Sequence, residues 1–112
     1  MIQAKNKKLA ELIGKDVLYG THVHHPSAGD GLVTLMKYDC SWDWLMEVVH
    51  HIENIILPET DNCFNVTIGA GLYCVIQDAY GELIEITGDG ATKILSVHEA
   101  CVKFADWYEM QR

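Results

Sequence analysis

Residues 63–87, CFNVTIGAGLYCVIQDAYGELIEIT, decide the fold. Phe64, Val66 and Ile68 alternate with Asn65 and Thr67, the period-two pattern of a strand with one apolar face. Gly69-Ala70-Gly71 turns the chain. Leu72 to Gln77 is apolar on both faces, as expected of a central strand covered on both sides. Asp78-Ala79-Tyr80-Gly81 reads as a type I turn closed by a glycine bulge. Glu82 to Thr87 is a third strand carrying Leu83, Ile84 and Ile86, and Gly88-Asp89-Gly90 is the next break. Three strands joined by short turns make an antiparallel meander.

Helical patterns flank this block. Trp42, Leu45, Met46, Val49, Ile52 and Ile56 follow one stripe of a helix over residues 41–57, with Ser41 as N-cap, Asp43 in the first turn and Pro58 at the end. Ile94, Val97, Cys101, Ala105 and Tyr108 make the stripe of a helix over 92–109, with Thr92 as its cap. Leu9, Leu12 and Ile13 share a face of a short helix over 6–13, which Asn6 caps and Gly14 stops. Residues 15–38 are the least regular part. Val17-Leu18-Tyr19 and Leu32 to Met36 are strand-like runs around the turn-rich tip Pro26 to Gly31, and they predict a small β-ribbon. Strands in one block between helices predict an α+β fold: a central antiparallel meander, plus the ribbon, with helices packed on it in an α/β/α sandwich-like arrangement.

A chain of 112 residues fits one domain, 1–112. The net charge is −8 and the hydrophobic content 49%. That composition is too apolar for a disordered chain, and no run approaches the ~20 apolar residues of a membrane span. The charge is uneven. Residues 1–16 hold Lys5, Lys7, Lys8 and Lys15 against Glu11 and Asp16, whereas residues 37–61 hold Lys37 against Asp39, Asp43, Glu47, Glu53, Glu59 and Asp61. An acidic body argues against gripping nucleic-acid phosphates. The beginning of the chain has no apolar signal-peptide core, so a cytoplasmic location in a bacterial host is expected. Cys40, Cys63, Cys74 and Cys101 form no C-x-x-C and read as small buried hydrophobes in a reducing compartment.

No catalytic motif is present, and no cofactor is implied. Gly69-Ala70-Gly71 precedes a strand rather than a helix, so it is a hairpin turn and not a dinucleotide loop. His98 and Cys101 stand one helical turn apart, but Cys101 lies on the apolar stripe, where a thiol is a core residue. Glu82 and Glu85 sit on opposite strand faces and make a poor carboxylate pair. Six histidines are the one enriched reactive type. His22 and His24 have strand spacing, which puts two imidazoles on one face as a chelate needs; His25 could join them, and a third or fourth ligand would come from His50, His51, Glu47 or Glu53. Trp44, Trp107 and Tyr108 fall off the main stripes and are candidate partner contacts.

Asn6 to Gly14, then Ser41-Trp42-Asp43-Trp44-Leu45-Met46 leading to Val49 and Ile52-Glu53, then Val66-Thr67-Ile68, Gln77-Asp78 and Phe104-Ala105-Asp106-Trp107-Tyr108 resemble small phage and prophage proteins of the phage ABA-sandwich group. The resemblance spans most of the chain outside 15–38. It implies a central antiparallel sheet with helices on both faces and an origin in a phage or mobile element, and it carries no functional residue. The expected function is therefore a non-enzymatic accessory protein that acts through protein–protein contact, with a second copy of itself as one partner. One alternative is a metal- or small-ligand-binding protein built on the histidines. Another is an acidic anti-defence inhibitor that mimics DNA.

Overall fold

A computed structural model of the chain describes residues 2–29, 31–57, 62–79, 81 and 83–111. Pro58, Tyr80, Glu82, Glu59, Asp61 and Asp30, each used in the sequence reading, lie outside the described residues. The order is α1 (Ile2–Leu12), β1 (His22–His24), a 3-10 turn (Pro26–Ala28), β2 (Val33–Leu35), α2 (Trp42–Glu53), β3 (Ile56–Leu57), β4 (Asn62–Ile68), β5 (Tyr73–Asp78), β6 (Glu85–Asp89) and α3 (Lys93–Met110). The fold is α+β, with three helices and two antiparallel sheets: a β1–β2 ribbon and a four-stranded sheet in the order β3-β4-β5-β6.

The meander forms as its alternation dictates. Val66 pairs with Ile76, and Ile76 with Ile86, so one face collects Phe64, Val66, Cys74, Ile76 and Ile86. Helix α3 lies on this face, where Phe104 meets Phe64 edge-on with ring centroids 4.9 Å apart. Helix α2 packs against β4 and α3, and α1 packs on α3, giving sandwich-like layers. The opposite face is more open than the doubly apolar sequence of β5 suggests: Tyr73 is exposed, and Val75 and Gln77 are half-buried. The Tyr73 ring lies over Gly69, which has no Cβ to obstruct it.

Several boundaries differ from the sequence reading, each for a packing reason. Gly88 and Asp89 belong to β6 and are not a break. Gly88 is buried under α3, and a Cβ there would collide with the Ser96 carbonyl oxygen and the Ala100 nitrogen. The strand keeps a glycine because a helix backbone sits on it. β3 is a short fourth strand that the helical stripe through Ile56 had concealed, since Asn54 ends α2. Tyr19 is not in a strand: β1 begins at His22, and a bridge from Leu18 to His22 closes the turn between them. Gly14 does stop α1, with φ +79 and its N–H donating to the Glu11 carbonyl.

Asn6 is the largest departure. It is not a cap but a fully buried residue inside α1. Its Nδ2 donates to Asp39 Oδ1 at 2.9 Å, and its Oδ1 accepts from His98 Nε2 at 2.8 Å. One carboxamide thus ties α1 to α3 and to the segment before α2. Burial pushes the His98 pKa down; Asp39 opposes this, and Lys5 adds to it.

Two predictions follow from these contacts. Gly88→Ala should lower stability by about 1–3 kcal/mol, the usual scale of overpacking, read as a drop in thermal midpoint. For His98, the folded imidazole binds its proton less readily than the unfolded one, whose pKa is about 6.5. Its contribution is therefore complete above that pH and is lost as pH falls through the folded value. Unfolding free energy measured against pH should decline below about 6.5. His98→Gln, which keeps a donor for Asn6, should flatten part of that decline.

Candidate functional site

The histidine-bearing ribbon and the helix beneath it bring together most of the chemistry in the molecule. β1 and β2 pair with His22 opposite Leu35, Val23 opposite Thr34 and His24 opposite Val33. Alternation splits the ribbon into two faces. Val23 points inward and is fully buried, whereas His22 is half-buried and His24 exposed on the outer face. Few other contacts hold the ribbon to the body, so Val23, Met36 and Tyr38 are its apolar anchors.

His25 shares the inward face of Val23 and is 8% exposed. Its Nε2 lies 2.6 Å from Glu47 Oε1 of α2, and its Nδ1 accepts from the Ser27 N–H at 3.2 Å while lying 2.9 Å from Ser27 Oγ. With Nδ1 an acceptor, the neutral ring carries its proton on Nε2 and donates it to the carboxylate. The imidazole stacks on Trp44 with centroids 3.7 Å apart and planes 8° from parallel. Tyr38 meets the other part of Trp44 edge-on at 5.2 Å. The Tyr38 hydroxyl is buried with no hydrogen-bond partner among the described residues. Burial, and then the Glu47 carboxylate, raise its pKa well above the ordinary phenol value.

This cluster corrects the expectation for Trp44. The residue is 3% exposed and is no partner contact. The buried stripe of α2 runs through Trp44, Leu45, Val48, Val49 and Ile52, and it is Trp42, 40% exposed, that turns outward. Trp107 is half-buried against Phe64 and Phe104, and Tyr108 stacks on Phe104. Tyr108 also lines a groove of about 410 Å³ between α1 and α3, with Leu12 and Ala105 beside it and the Lys8–Asp106 ion pair, 2.8 Å, across it.

The other candidates separate. Among the described residues, no three His, Cys, Asp or Glu side chains converge as a metal site. His50 is exposed and His51 half-buried on α2, and both nitrogens of His25 are engaged. Cys101 is fully buried with its thiol pKa raised by burial, and Cys74 is pushed up to about 11, so neither offers a ready thiolate; Cys40, by contrast, is exposed and Cys63 half-buried, against the expectation of four buried thiols. His98 is bonded to Asn6 and does not serve Cys101. Of the acids in 37–61, Asp39 is held by Asn6 and Glu47 by His25, which leaves Asp43 and Glu53 exposed among the described residues. No helix among the described residues is long and apolar enough to cross a membrane.

Glu47, one of the acids the sequence offers as a shared ligand, reaches His25 directly across 22 residues. Ser27 beside His25, and Tyr38 on the shared Trp44, are not signalled by the sequence. Comparison with known proteins gives no counterpart: no family model matches, and neither a curated protein nor a solved structure matches.

His25→Ala should remove the ring stack and leave the Glu47 carboxylate without its donor. A loss of about 1–3 kcal/mol in stability is expected, with a red shift in tryptophan emission as Trp44 meets water.

Proposed function

We propose that the protein is a non-enzymatic accessory protein, of phage or prophage origin, that acts by contact with another protein through the outer face of the β1–β2 ribbon. The observation that carries this reading is Tyr19. The residue is 87% exposed, yet its backbone sits at φ +58, and it is the only non-glycine residue with positive φ among those described. A left-handed tyrosine costs roughly 1–3 kcal/mol and buries nothing in the free chain, and strain of this kind collects at functional positions. Its ring stands edge-on to His22, with centroids 6.1 Å apart. Leu35, 45% exposed, stands opposite His22 on the ribbon, and Leu32, 60% exposed, immediately precedes β2. An exposed tyrosine with exposed leucines near it is the composition of an interface centre.

The phage origin rests on the packing pattern in the sequence. A reducing cytoplasm suits four cysteines that are all unpaired. The distribution of acids does not favour a DNA mimic, since Asp39 and Glu47 are spent on internal contacts.

The test is capture from host lysate and sedimentation, comparing the natural chain with Tyr19→Gly and Leu35→Lys. Tyr19→Gly should be near neutral for folding, because relief of the left-handed strain offsets the added freedom of the unfolded chain. Both variants should lose partner retention, or self-association, by about tenfold or more. If both keep the natural chain's bound proteins and its sedimentation, the ribbon is not the contact surface.

A further inference from the structure

We infer that His22 and His24 form a two-point chelate for a divalent transition ion, Cu²⁺, Ni²⁺ or Zn²⁺, on the outer face of the ribbon. The site lies on the same outer face as the proposed partner contact, but it needs no partner to hold the ion. Residues two apart on a strand project the same way, and two rises place their Cβ atoms roughly 6.6 Å apart, a span that two imidazoles can close on one ion. The burial pattern fixes the face: Val23 between them is fully buried, and both histidines point away from it.

The ring nitrogens supply the second argument. His24 Nδ1 lies 3.1 Å from the Leu32 carbonyl oxygen. A carbonyl only accepts, so Nδ1 carries the proton and the lone pair is left on Nε2. His22 Nδ1 lies 2.7 Å from Thr21 Oγ, a hydroxyl that accepts from the Nδ1–H tautomer and donates to the other. Each ring is thus held through Nδ1 by an oxygen, and for His24 the partner leaves the lone pair on Nε2. That is how histidine ligands are held elsewhere: the second nitrogen donates to a backbone carbonyl or other oxygen, which fixes ring and tautomer. His25, next in sequence, fails the same requirement because Glu47 and Ser27 occupy its two nitrogens. His50 and His51 are adjacent on a helix and diverge. No third protein ligand converges among the described residues, so the remaining positions on the ion are open to water or to a donor from outside.

The experiment uses the full chain without a histidine tag. Cu²⁺, Ni²⁺ and Zn²⁺ are each titrated by calorimetry, and Ni²⁺ broadening of histidine ring signals is followed by NMR. One ion per chain is expected, with Cu²⁺ bound more tightly than Zn²⁺. The ring signals of His22 and His24 should broaden before those of the other four histidines. His22→Ala and His24→Ala should each weaken binding by about tenfold or more, the scale attached even to outer-shell partners. His50→Ala should bind as the natural chain does. Both ribbon variants remove outward side chains, and unchanged circular dichroism confirms that they fold. Binding in the double variant equal to that of the natural chain, or broadening spread evenly over all six histidines, would overturn the inference.

Discussion

The structure depends on one buried carboxamide. Asn6 has no contact with water, and a polar group in that position is tolerable only when it is fully bonded. Its partners come from far apart: Asp39 is 33 residues away and His98 is 92 residues away. α1 contributes Leu9 and Ala10 to the core, a small apolar payload for an eleven-residue helix. Eleven residues are also too few for a stable isolated helix. The Asn6 bonds therefore do what apolar area alone does weakly: they fix where α1 sits and how it is rotated. Losing His98 leaves the buried Asn6 Oδ1 without its donor, and losing Asn6 leaves the buried His98 ring without its acceptor, so each weakens the register of α1.

The sheet solves a different problem. β6 is an edge strand, and its outward backbone groups would template another strand if left free. Side chains from α3 occupy them. Lys103 Nζ donates to the Thr87 carbonyl at 2.9 Å, and the Asp89 N–H donates to Glu99 Oε2 at 3.2 Å. Glu99 and Lys103 are themselves paired at 3.1 Å, one helical turn apart. This arrangement requires α3 to lie close to β6, and the bare Cα of Gly88 permits that approach. Edge protection and the glycine are two consequences of one close helix-on-strand contact. Within the loop before β6, Asp78 plays a matching local part, accepting from the Leu83 and Ile84 N–H groups at 2.9 and 3.1 Å.

Much of this was legible in the sequence. The α+β class, the meander and α3 with its Thr92 cap follow from periodicity and capping chemistry, because those signals are local. The departures share a cause. Asparagine favours caps, but the partners of Asn6 are remote in sequence. A glycine pair signals a break, and nothing beside Gly88 announces a helix overhead. A stripe through Trp42 and one through Trp44 fit the helix about equally well. His25, stacked on the Trp44 indole, and Tyr38, edge-on to it, decide between them. Of the candidate site, the shared face of His22 and His24 was readable from spacing, whereas the diversion of His25 to Glu47 was not.

That diversion makes the ribbon two-sided in chemistry as well as in burial. Three histidines occur in four residues, and the strand period gives them opposite fates. His25, at the turn, spends both nitrogens on holding the ribbon to α2 through Glu47 and Trp44. His22 and His24, on the period-two face, spend one nitrogen each on local oxygens and keep the other outward. A ribbon anchored this way has a fixed orientation on the body despite its few apolar contacts. A fixed orientation is what allows a strained, exposed Tyr19 and two outward imidazoles to be presented together rather than averaged over a mobile loop. Anchoring and presentation are thus the work of the same three-histidine stretch.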